Sequence, residues 1–477
     1  MTKPLNELSL TEAARGLRAK EFSVRELWDA VAAAAQQKNP ELNAYLELFA
    51  ADEAAIASAQ ERIDREGNAA PLLCGIPIAM KDNILIEGKV ASAASKMLEH
   101  YRATYDATVT RKLREDGALF VGRTNMDEFA MGSSTEHSAF GPTKNPIDPT
   151  RVPGGSSGGS SAAVAAHMAL GGLGTDTGGS IRQPAAHTGL VGLKPTYGAV
   201  SRSGLIALGS SLDQAGPLAK TVADAKALFL SMRGQDPLDA TTIAPDTYPA
   251  REAGEALRIG VPRHLLAEGL DADVHARFEE TLAALSAKGH TLVDIELPTS
   301  EYALPVYYVI QPAEASANLA RFDGIRYGLA KRGNTLLEDY VLSKTAGFGP
   351  ETVRRILLGT FVLSSGYIDA YYRKAERVRD VLRAEYNEAF ARCDVIAFPT
   401  TPSPAFRFGE KSDPVSMYLE DVFTVTADLT GMPAISVPMG TVEREGVALP
   451  TGIHFTAPLG ADDLLFRIGA AVTGETL

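Results

Sequence analysis

The spacing of apolar and polar positions predicts helices at the start of the chain. Two segments, Ser9-Leu-Thr-Glu12 and Ser23-Val-Arg-Glu26, place a hydroxyl three residues before a carboxylate. This is the pattern of a capping box, in which the two side chains satisfy backbone N–H groups at a helix start. A third, alanine-rich helix is expected around 50–66, ending at Gly67. Residues 1–70 are therefore predicted to form N-terminal helices.

Short apolar runs after this region predict buried strands that alternate with helices. Gly75-Ile-Pro-Ile-Ala-Met80 and Ala118-Leu-Phe-Val-Gly122 are two such runs, with a helix near 107–116 between them. The alternation returns in a strand at Leu257–Val261, a helix over about 272–288 and a strand around Thr291–Ile295. Alternating helices and strands predict an α/β fold built on a mixed sheet.

Residues 235–250 interrupt this alternation with three prolines and several Asp and Thr residues. Such a composition is typical of a surface loop, and apolar patterning resumes on both sides of it. We therefore predict a single domain over 1–477. Its core spans 71–234, and a second half over 251–477 completes the sheet and a pocket.

Composition and charge narrow the possible functions. The chain has 477 residues with 46 Lys and Arg against 59 Asp and Glu, a net charge of −13. Nucleic-acid phosphates need clustered cations, so binding of nucleic acid by this chain alone is not expected. No membrane-spanning run or secretion signal is evident. Cys74 and Cys393 lack the spacing of a zinc site or a disulfide framework, which favours a cytoplasmic location.

Two loops rich in glycine and serine are the most unusual feature. They span Pro153–Ser161 and Gly174–Pro184, and they bracket one short alanine-rich helix. Glycine permits close backbone approach, and consecutive exposed N–H groups can hold negative charge. A flexible linker is the ordinary alternative, but these runs lie within apolar sequence rather than between domains.

Three familiar motifs match these loops only in part. Gly154–Gly158 fits the GxSxG nucleophile elbow, but three prolines within 145–153 argue against the strand that must precede it. Asp176-Thr-Gly178 fits the aspartic-protease triplet, yet no second copy exists to form a dyad. A phosphate-binding loop needs Gly-Lys at its end, and the one such pair, at Lys89, lies elsewhere.

The remaining interpretation is a serine nucleophile with a lysine base. Lys81 follows the apolar run 75–80 directly, so it would lie at the end of a buried strand, where desolvation lowers the pKa of an amine. The alternative is a lysine whose amine reaches solvent or pairs with Asp82.

The segments around Lys81, Ser156 and Ser180 resemble the amidase signature family. They read Gly-Ile-Pro-Ile-Ala-Met-Lys-Asp-Asn, Gly-Gly-Ser-Ser-Gly-Gly-Ser and Asp-Thr-Gly-Gly-Ser-Ile-Arg-Gln-Pro. The resemblance implies the amidase-signature fold, a mixed β-sheet with helices on both faces. It also implies a Ser–Ser–Lys triad with Ser180 as nucleophile, Ser156 as bridging serine on a cis peptide, and Lys81 as base.

A lysine can act as a base only when its amine is neutral. For the amine to be half neutral near pH 7, its reference pKa of roughly 10.4 must fall by about three units, which corresponds to about 4 kcal/mol of differential interaction. Burial shifts the pKa in that direction. Ser156 would relay the proton. The oxyanion is expected to bind the backbone N–H groups of Thr177, Gly178, Gly179 and Ser180. Arg182 is expected to be a structural bridge under this loop.

Most of the chain is further similar to the A subunits of glutamyl-tRNA(Gln)/aspartyl-tRNA(Asn) amidotransferases. The similar segments are 125–136, 193–198, 211–214, 314–316, 322–328 and 417–418. This implies a glutaminase that releases ammonia from glutamine, or from asparagine. It also implies a substrate clamp of Tyr307, Arg355 for the α-carboxylate and Asp421 for the α-ammonium. Arg354 is an alternative to Arg355, and His454 stands where that family has glutamine.

The same resemblance implies partners. A B subunit would bind tRNA, ATP and magnesium, a small C subunit would join the two, and this chain would carry no cofactor and meet tRNA only through the complex. A free-standing amidase acting on a small amide or peptide amide is the alternative. Such an enzyme would have no use for charged residues at both ends of its acyl pocket.

Overall fold

One mixed sheet of eleven strands crosses the molecule in the computed structural model, which describes residues 3–249, 251, 253–267 and 269–477. The order of the strands is β1-β3-β2-β4-β6-β5-β10-β11-β9-β7-β8. The strands are β1 (Tyr45–Leu48), β2 (Pro77–Lys81), β3 (Leu119–Thr124), β4 (Gly171–Asp176), β5 (Val191–Lys194), β6 (Gln214–Ala219), β7 (Arg258–Val261), β8 (Thr291–Asp294), β9 (Val395–Pro399), β10 (Ala434–Arg444) and β11 (Val447–Thr456).

Fifteen α-helices lie in the described residues. They are α1 (Leu10–Arg18), α2 (Val24–Leu42), α3 (Glu53–Glu66), α4 (Thr108–Glu115), α5 (Gly158–Ala165), α6 (Arg182–Thr188), α7 (Val222–Met232), α8 (Ala272–Ala287), α9 (Ala303–Leu319), α10 (Leu336–Gly347), α11 (Pro350–Val362), α12 (Tyr372–Arg392), α13 (Pro414–Tyr418), α14 (Val425–Thr430) and α15 (Asp462–Thr473). None of these helices combines the length and the apolar character that crossing a membrane requires.

The sequence predicted the main elements close to where they occur. Both capping boxes form, at the starts of α1 and α2, and α3 ends at Gly67. The first central strand differs, because it begins at Pro77 rather than Gly75 and continues to Lys81. Gly75 has a φ of +78°, and Ile76 donates its N–H to the carbonyl of Leu73, so the chain turns there before the strand starts.

The predicted α/β class with a mixed sheet is confirmed. β2 is parallel to β3 and β4, whereas β4 is antiparallel to β6. Every residue of β2, β4 and β6 is buried, which is the pattern of strands covered on both faces. Strands from both sides of the 235–250 segment join the one sheet.

Residues 235–249 contain neither helix nor strand, and Ala250 lies outside the described residues. Two buried carboxylates fix this loop to the body of the protein. Asp236 accepts from the hydroxyls of Thr108 and Ser201, and Asp239 pairs with Arg202 at 2.9 Å. The loop therefore lies at the surface but is anchored at defined points.

The parallel pairing of β2 with β4 positions the chemically important loops. Parallel strands end at the same edge of a sheet, so Lys81 at the end of β2 and Asp176 at the end of β4 lie near each other. The loop that follows Asp176 carries Ser180. The other glycine-rich loop leads into α5, which packs on β2 and β4.

Candidate active site

Lys81 is completely buried, and all its hydrogen-bond partners in the described residues are neutral. Its Nζ lies 2.8 Å from Ser156 Oγ, 2.8 Å from Ser157 Oγ and 3.0 Å from Thr175 Oγ1. The two ordinary alternatives are not realised, because the amine does not reach solvent and Asp82 pairs with Arg123 at 2.9 Å.

Burial lowers the pKa of Lys81 from its ordinary value of 10.5 to about 7. The carboxylates of Asp127, Asp176 and Asp213 act in the opposite direction, but they do not compensate for the loss of water. Near pH 7 a substantial fraction of the Lys81 amine is therefore uncharged. The uncharged amine is the form that can accept a proton.

The hydrogen bonds around Lys81 indicate where its lone pair points. Ser157 Oγ donates to the carbonyl of Thr175 at 3.2 Å, so Ser157 accepts a proton from Nζ. Thr175 Oγ1 accepts from Nζ and from the Asn83 amide. A neutral amine has two N–H groups: one is directed to Ser157 Oγ, and the other is shared between Thr175 Oγ1 and the Thr175 carbonyl oxygen, which lies 3.3 Å from Nζ. The lone pair then faces Ser156 Oγ, which is placed to donate its proton to Lys81.

The loop of Ser156 is docked on the loop of Ser180. The Gly155–Ser156 peptide bond is cis, as the resemblance implied, and Ser157 N–H donates to the carbonyl of Ser180 at 3.2 Å. A Cβ at Gly155 would lie 2.2 Å from Asp127 Oδ2, so only glycine fits there. Ser180 is 8% exposed, and its hydroxyl has no protein partner among the described residues. Catalytic hydrogen bonds commonly tighten only when substrate binds.

The expected oxyanion group needs one correction. The N–H of Gly179 donates to Asp176 Oδ1 at 2.7 Å, because the loop folds back over that carboxylate. The N–H groups of Thr177, Gly178 and Ser180 have no protein partner in the described part of the chain. Three of the four predicted donors are therefore available for an oxyanion.

A buried ion network lies directly beneath the Ser180 loop. Arg182 contacts Asp176 at 2.9 Å and Asp428 at 2.6 Å, and all three side chains are fully buried. Burial raises the pKa of Asp176, but the charge and hydrogen bonds of Arg182 outweigh it and hold that pKa well below its usual range. Asp176 also accepts from Ile181 N–H. Arg182 is thus a structural bridge under the loop, as predicted.

His454 belongs to the same network. Its Nε2 lies 2.9 Å from Arg182 Nη1 and must accept, so the ring proton is assigned to Nδ1. Burial lowers the pKa of His454 well below its usual range, and the charge of Arg182 acts in the same direction. A neutral imidazole therefore lies behind the bridge.

Arg355 is held rigidly on the inner face of α11. Its Nε donates to Glu351 at 2.7 Å, and its Nη1 donates to Gln311 at 2.6 Å. The guanidinium lies between the rings of Tyr308 and Tyr418, 4.8 Å and 4.6 Å from their centroids. Its Nη2 has no protein partner among the described residues, which leaves two N–H groups free for a carboxylate.

Arg354, the alternative to Arg355, points differently. It pairs with the same Glu351, but its side chain is 48% exposed, whereas that of Arg355 is 4% exposed. The geometry therefore favours Arg355 as the buried cation.

Asp421 is buried close to Arg355. It accepts from Ser133 Oγ at 2.9 Å and from Tyr308 OH at 3.2 Å, and burial raises its pKa to about 7. Tyr308 thus stacks on Arg355 and hydrogen-bonds Asp421, which fixes the spacing between the two ends of the predicted clamp.

Tyr307 forms a wall between this clamp and the Ser180 loop. A Cβ at Gly178 would lie 2.6 Å from its ring. Thr424 connects the two parts from the other side, because its hydroxyl lies 2.6 Å from the carbonyl of Gly178 and 3.1 Å from that of Asp421. The structure therefore places Tyr307 against the Ser180 loop, with Asp421 linked to that loop through Thr424 and Arg355 linked to Asp421 through Tyr308.

Sequence reasoning did not find the residues that orient the clamp. These are Ser133, Tyr308, Gln311, Glu351 and Tyr418. A signal existed for one of them, since Glu351 and Arg355 have the i, i+4 spacing of a helical ion pair.

A cavity of about 170 Å³ opens beside Ser133, Glu351 and Arg355. Within the described ranges, no group of three or more His, Cys, Asp or Glu is placed to hold a metal ion.

Comparison with known proteins identifies similar chains over almost the whole length. The family described as Amidase matches residues 26–466. The chain is 47% identical over 471 residues to the A subunit of glutamyl-tRNA(Gln) amidotransferase from Desulfatibacillum aliphaticivorans, covering 98% of this chain and 96% of the relative. It is 51% identical over 440 residues to the protein of the same name from Acidobacterium capsulatum, covering 91% and 92%.

Solved structures share the fold. The crystal structure of the A subunit of glutamyl-tRNA(Gln) amidotransferase from Thermotoga maritima superposes with a TM-score of 0.81 at 39% identity, covering 100% of this chain and 96% of that one. A native peptide amidase from Stenotrophomonas maltophilia superposes with a TM-score of 0.82 at 29% identity, covering 99% and 97%. An amidotransferase subunit and a peptide amidase therefore share this fold. The fold alone does not identify the substrate, which depends on the residues of the site.

The first prediction concerns the protonation of Lys81. Hydrolysis of a simple amide should rise with pH, with a midpoint near the Lys81 pKa of about 7, because only the neutral amine accepts a proton. Lys81→Arg, which stays charged, and Lys81→Met, which has no base, should both lose turnover. Steady-state rates across pH check this, with circular dichroism as the folding control. Turnover retained in either variant would remove Lys81 from the mechanism.

The second prediction concerns the network under the loop. Arg182→Gln leaves Asp176 and Asp428 buried without their cation, which should lower the free energy of unfolding by about 3–5 kcal/mol. Arg65→Gln removes an ion pair at the surface, where the arginine side chain is 68% exposed. This substitution should change the free energy of unfolding by less than about 0.5 kcal/mol. Urea denaturation of both variants provides the comparison. Equal losses would show that the buried network adds nothing specific.

Proposed function

The chain belongs to the amidase family, and on that premise we propose that it is the glutaminase subunit of a tRNA-dependent amidotransferase. It releases ammonia from glutamine for the amidation of Glu-tRNA(Gln), Asp-tRNA(Asn) or both. The observation that carries this proposal is the pair of buried, opposite charges beside the Ser180 loop. Arg355 and Asp421 match the α-carboxylate and α-ammonium of a free amino acid.

The first step is the attack of Ser180 on the side-chain amide. Lys81 Nζ accepts the proton of Ser156 Oγ, and Ser156 takes the proton of Ser180 Oγ. A bond forms between Ser180 Oγ and the amide carbon, while the electron pair of the carbonyl moves to its oxygen. The free N–H groups of Thr177, Gly178 and Ser180 stabilise that oxyanion.

The second step expels ammonia and then regenerates the serine. The proton held by Lys81 returns through Ser156 to the amide nitrogen, the C–N bond breaks, and an ester of Ser180 remains. Water, activated by the same Lys81 and Ser156 relay, attacks this ester. The products are glutamate, ammonia and free Ser180, so atoms and protons balance over the cycle.

The clamp favours an amino acid over an uncharged amide. Glu351 already pairs with Nε of Arg355, but Nη2 of Arg355 has no partner among the described residues and the buried Asp421 accepts only from hydroxyls there, so an α-carboxylate and an α-ammonium would supply what these two groups lack. Burial raises the pKa of Asp421 to about 7. A bound α-ammonium group would favour the charged carboxylate and lower this pKa. A free-standing amidase for uncharged amides gains nothing from this arrangement. Asparagine, shorter by one methylene, carries the same two charged groups and is the second candidate donor.

Partners follow from the names of the relatives and from the charge. The relatives are named as A subunits, which implies further subunits. In this proposal a B subunit binds tRNA, ATP and magnesium, and a small C subunit joins it to this chain in the cytoplasm. With a net charge of −13, this chain reaches tRNA only through the complex.

The third prediction tests the clamp. Arg355→Ala removes a charge-assisted pair worth about 1.5–3 kcal/mol, so kcat/KM for glutamine should fall by about 10-fold to 150-fold. Hydrolysis of an aliphatic amide without a carboxylate should change little. Arg354→Ala, at the neighbouring exposed position, is the matched control and should retain glutamine hydrolysis. Equal losses on both substrates would indicate a disturbed fold instead of a lost clamp.

The fourth prediction tests the proposed function. The purified chain alone should hydrolyse glutamine slowly and show no tRNA binding at physiological salt, because a chain with a net charge of −13 is poorly suited to neutralise phosphates. The complex with its B and C subunits should hydrolyse glutamine much faster when ATP and charged tRNA are present. Glutaminase assays and filter binding measure the two properties. Full amide hydrolysis by the chain alone, unchanged by partners, would favour the free-standing amidase.

A further inference from the structure

Gln183 carries a completely buried side chain that takes no part in the proton relay, the oxyanion site or the clamp. It lies in the first turn of α6, three residues after the nucleophile Ser180. Burying an amide group costs free energy unless its polar atoms are hydrogen-bonded. The partners of this amide therefore indicate what the side chain does.

The amide of Gln183 joins two loops from separate parts of the chain. Its Oε1 accepts the N–H of Gly155 at 2.8 Å, and its Nε2 donates to the carbonyl of Ser133 at 2.7 Å. The opposite orientation of the amide would place two donors together and two acceptors together, so these partners assign the oxygen and the nitrogen. Both ends of the side chain are satisfied by backbone groups.

The first of these contacts holds the bridging serine. Gly155 immediately precedes Ser156, whose Oγ lies 2.8 Å from Lys81 Nζ. Gly154 has a φ of +84°, and a Cβ there would lie 2.5 Å from Gln183 Oε1, so glycine at this position admits the amide. A shift of the Gln183 amide would therefore move the peptide that carries Ser156.

The second contact holds one end of the clamp. Ser133 Oγ donates to the carboxylate of Asp421 and lies 2.9 Å from each of its oxygens. The backbone of the same serine is fixed by Gln183. The position of the Asp421 carboxylate is thus tied to the Gln183 amide through one residue.

The backbone of Gln183 belongs to the nucleophile loop. Its N–H donates to the carbonyl of Gly179 at 2.8 Å. Thr135 also links the loops of Ser133 and Ser156, because its hydroxyl donates to the carbonyl of Gly154. The hydrogen bonds of Thr135 to described residues do not extend to the Ser180 loop, whereas Gln183 contacts all three parts of the site.

We propose that Gln183 is a positioning residue that sets the distance between the Ser180–Ser156 pair and the Asp421 end of the clamp. The nucleophile then meets the side-chain amide of a substrate whose α-ammonium is held at Asp421. The clamp half of this proposal rests on the proposed function, whereas the Gly155 contact acts on any amide. Misplacing a reacting group by about 1 Å can cost about 100-fold in rate.

The fifth prediction replaces the amide by a side chain of similar length without hydrogen-bonding groups of comparable strength. In Gln183→Met, loss of the Gly155 contact should lower kcat by about tenfold or more for every amide. Loss of the Ser133 contact should raise KM about threefold or more for glutamine, but not for an aliphatic amide without charged groups. Steady-state kcat and KM of the full-length chain are measured on both substrates.

Gln214→Met is the matched control. Gln214 is also completely buried, and its amide bridges two backbone groups in the same way, the N–H of Gly198 and the carbonyl of Val200. This variant should lose a similar amount of thermal stability and keep both kinetic constants on both substrates. Equal kinetic losses in the two Met variants would show that Gln183 has only a structural role and would overturn the proposal.

Ser133→Ala tests the clamp half separately. It removes the hydroxyl contact with Asp421 and should raise KM for glutamine. Adding Gln183→Met to Ser133→Ala should raise this KM no further, because both substitutions act through the same contact, while kcat still falls. A KM that rises by the product of the two single effects would contradict the proposal.

The outcome on the aliphatic amide decides the other half. Wild-type kcat on this substrate in folded Gln183→Met would overturn the link to Ser156. Gln183→Leu replaces it in all measurements if Gln183→Met does not fold. If the unchanged chain does not hydrolyse glutamine, alone or with its partners, the proposed function itself fails. The aliphatic amide still tests the Gly155 contact in that case, so the two failures are distinct.

Discussion

A lysine that serves as a base must be withdrawn from water without being given a carboxylate partner, and the core of this protein satisfies both conditions. Lys81 ends an interior strand of the eleven-stranded sheet, and its side chain is completely buried. Its partners are hydroxyls and a carbonyl. A direct ion pair would favour the charged amine and remove its basicity. The surrounding loops are therefore rich in serine, threonine and glycine.

Three carboxylates lie close enough to raise the pKa of Lys81, and each is engaged by other donors. Asp127 accepts the N–H groups of Thr135 and His137. Asp213 accepts the hydroxyl of Thr177. Asp176 is paired with Arg182, which neutralises it and at the same time folds the Ser180 loop around it. The network that shapes the nucleophile loop thus also limits the charge felt by the base.

The sequence predicted most of the local structure, because capping boxes, apolar runs and glycine-rich loops depend on neighbours along the chain. It also placed Lys81 at the end of a buried strand. It could not predict that the Gly179 N–H is used by Asp176, since this depends on how the loop folds back. Nor could it find Tyr308 as the link between Arg355 and Asp421. That contact joins three separate segments, and only the packing of α9 against α11 creates it.

The helix α11 connects the substrate site with the surface. Its inner side holds Glu351 and Arg355 in the clamp, and its outer side exposes Val353, Leu357 and Phe361. Because Gly359 brings α11 into backbone contact with α9, a shift of α11 must also move Gln311 and Tyr308 or break their contacts with Arg355. A displacement of the exposed side of α11 would therefore alter the position of Arg355.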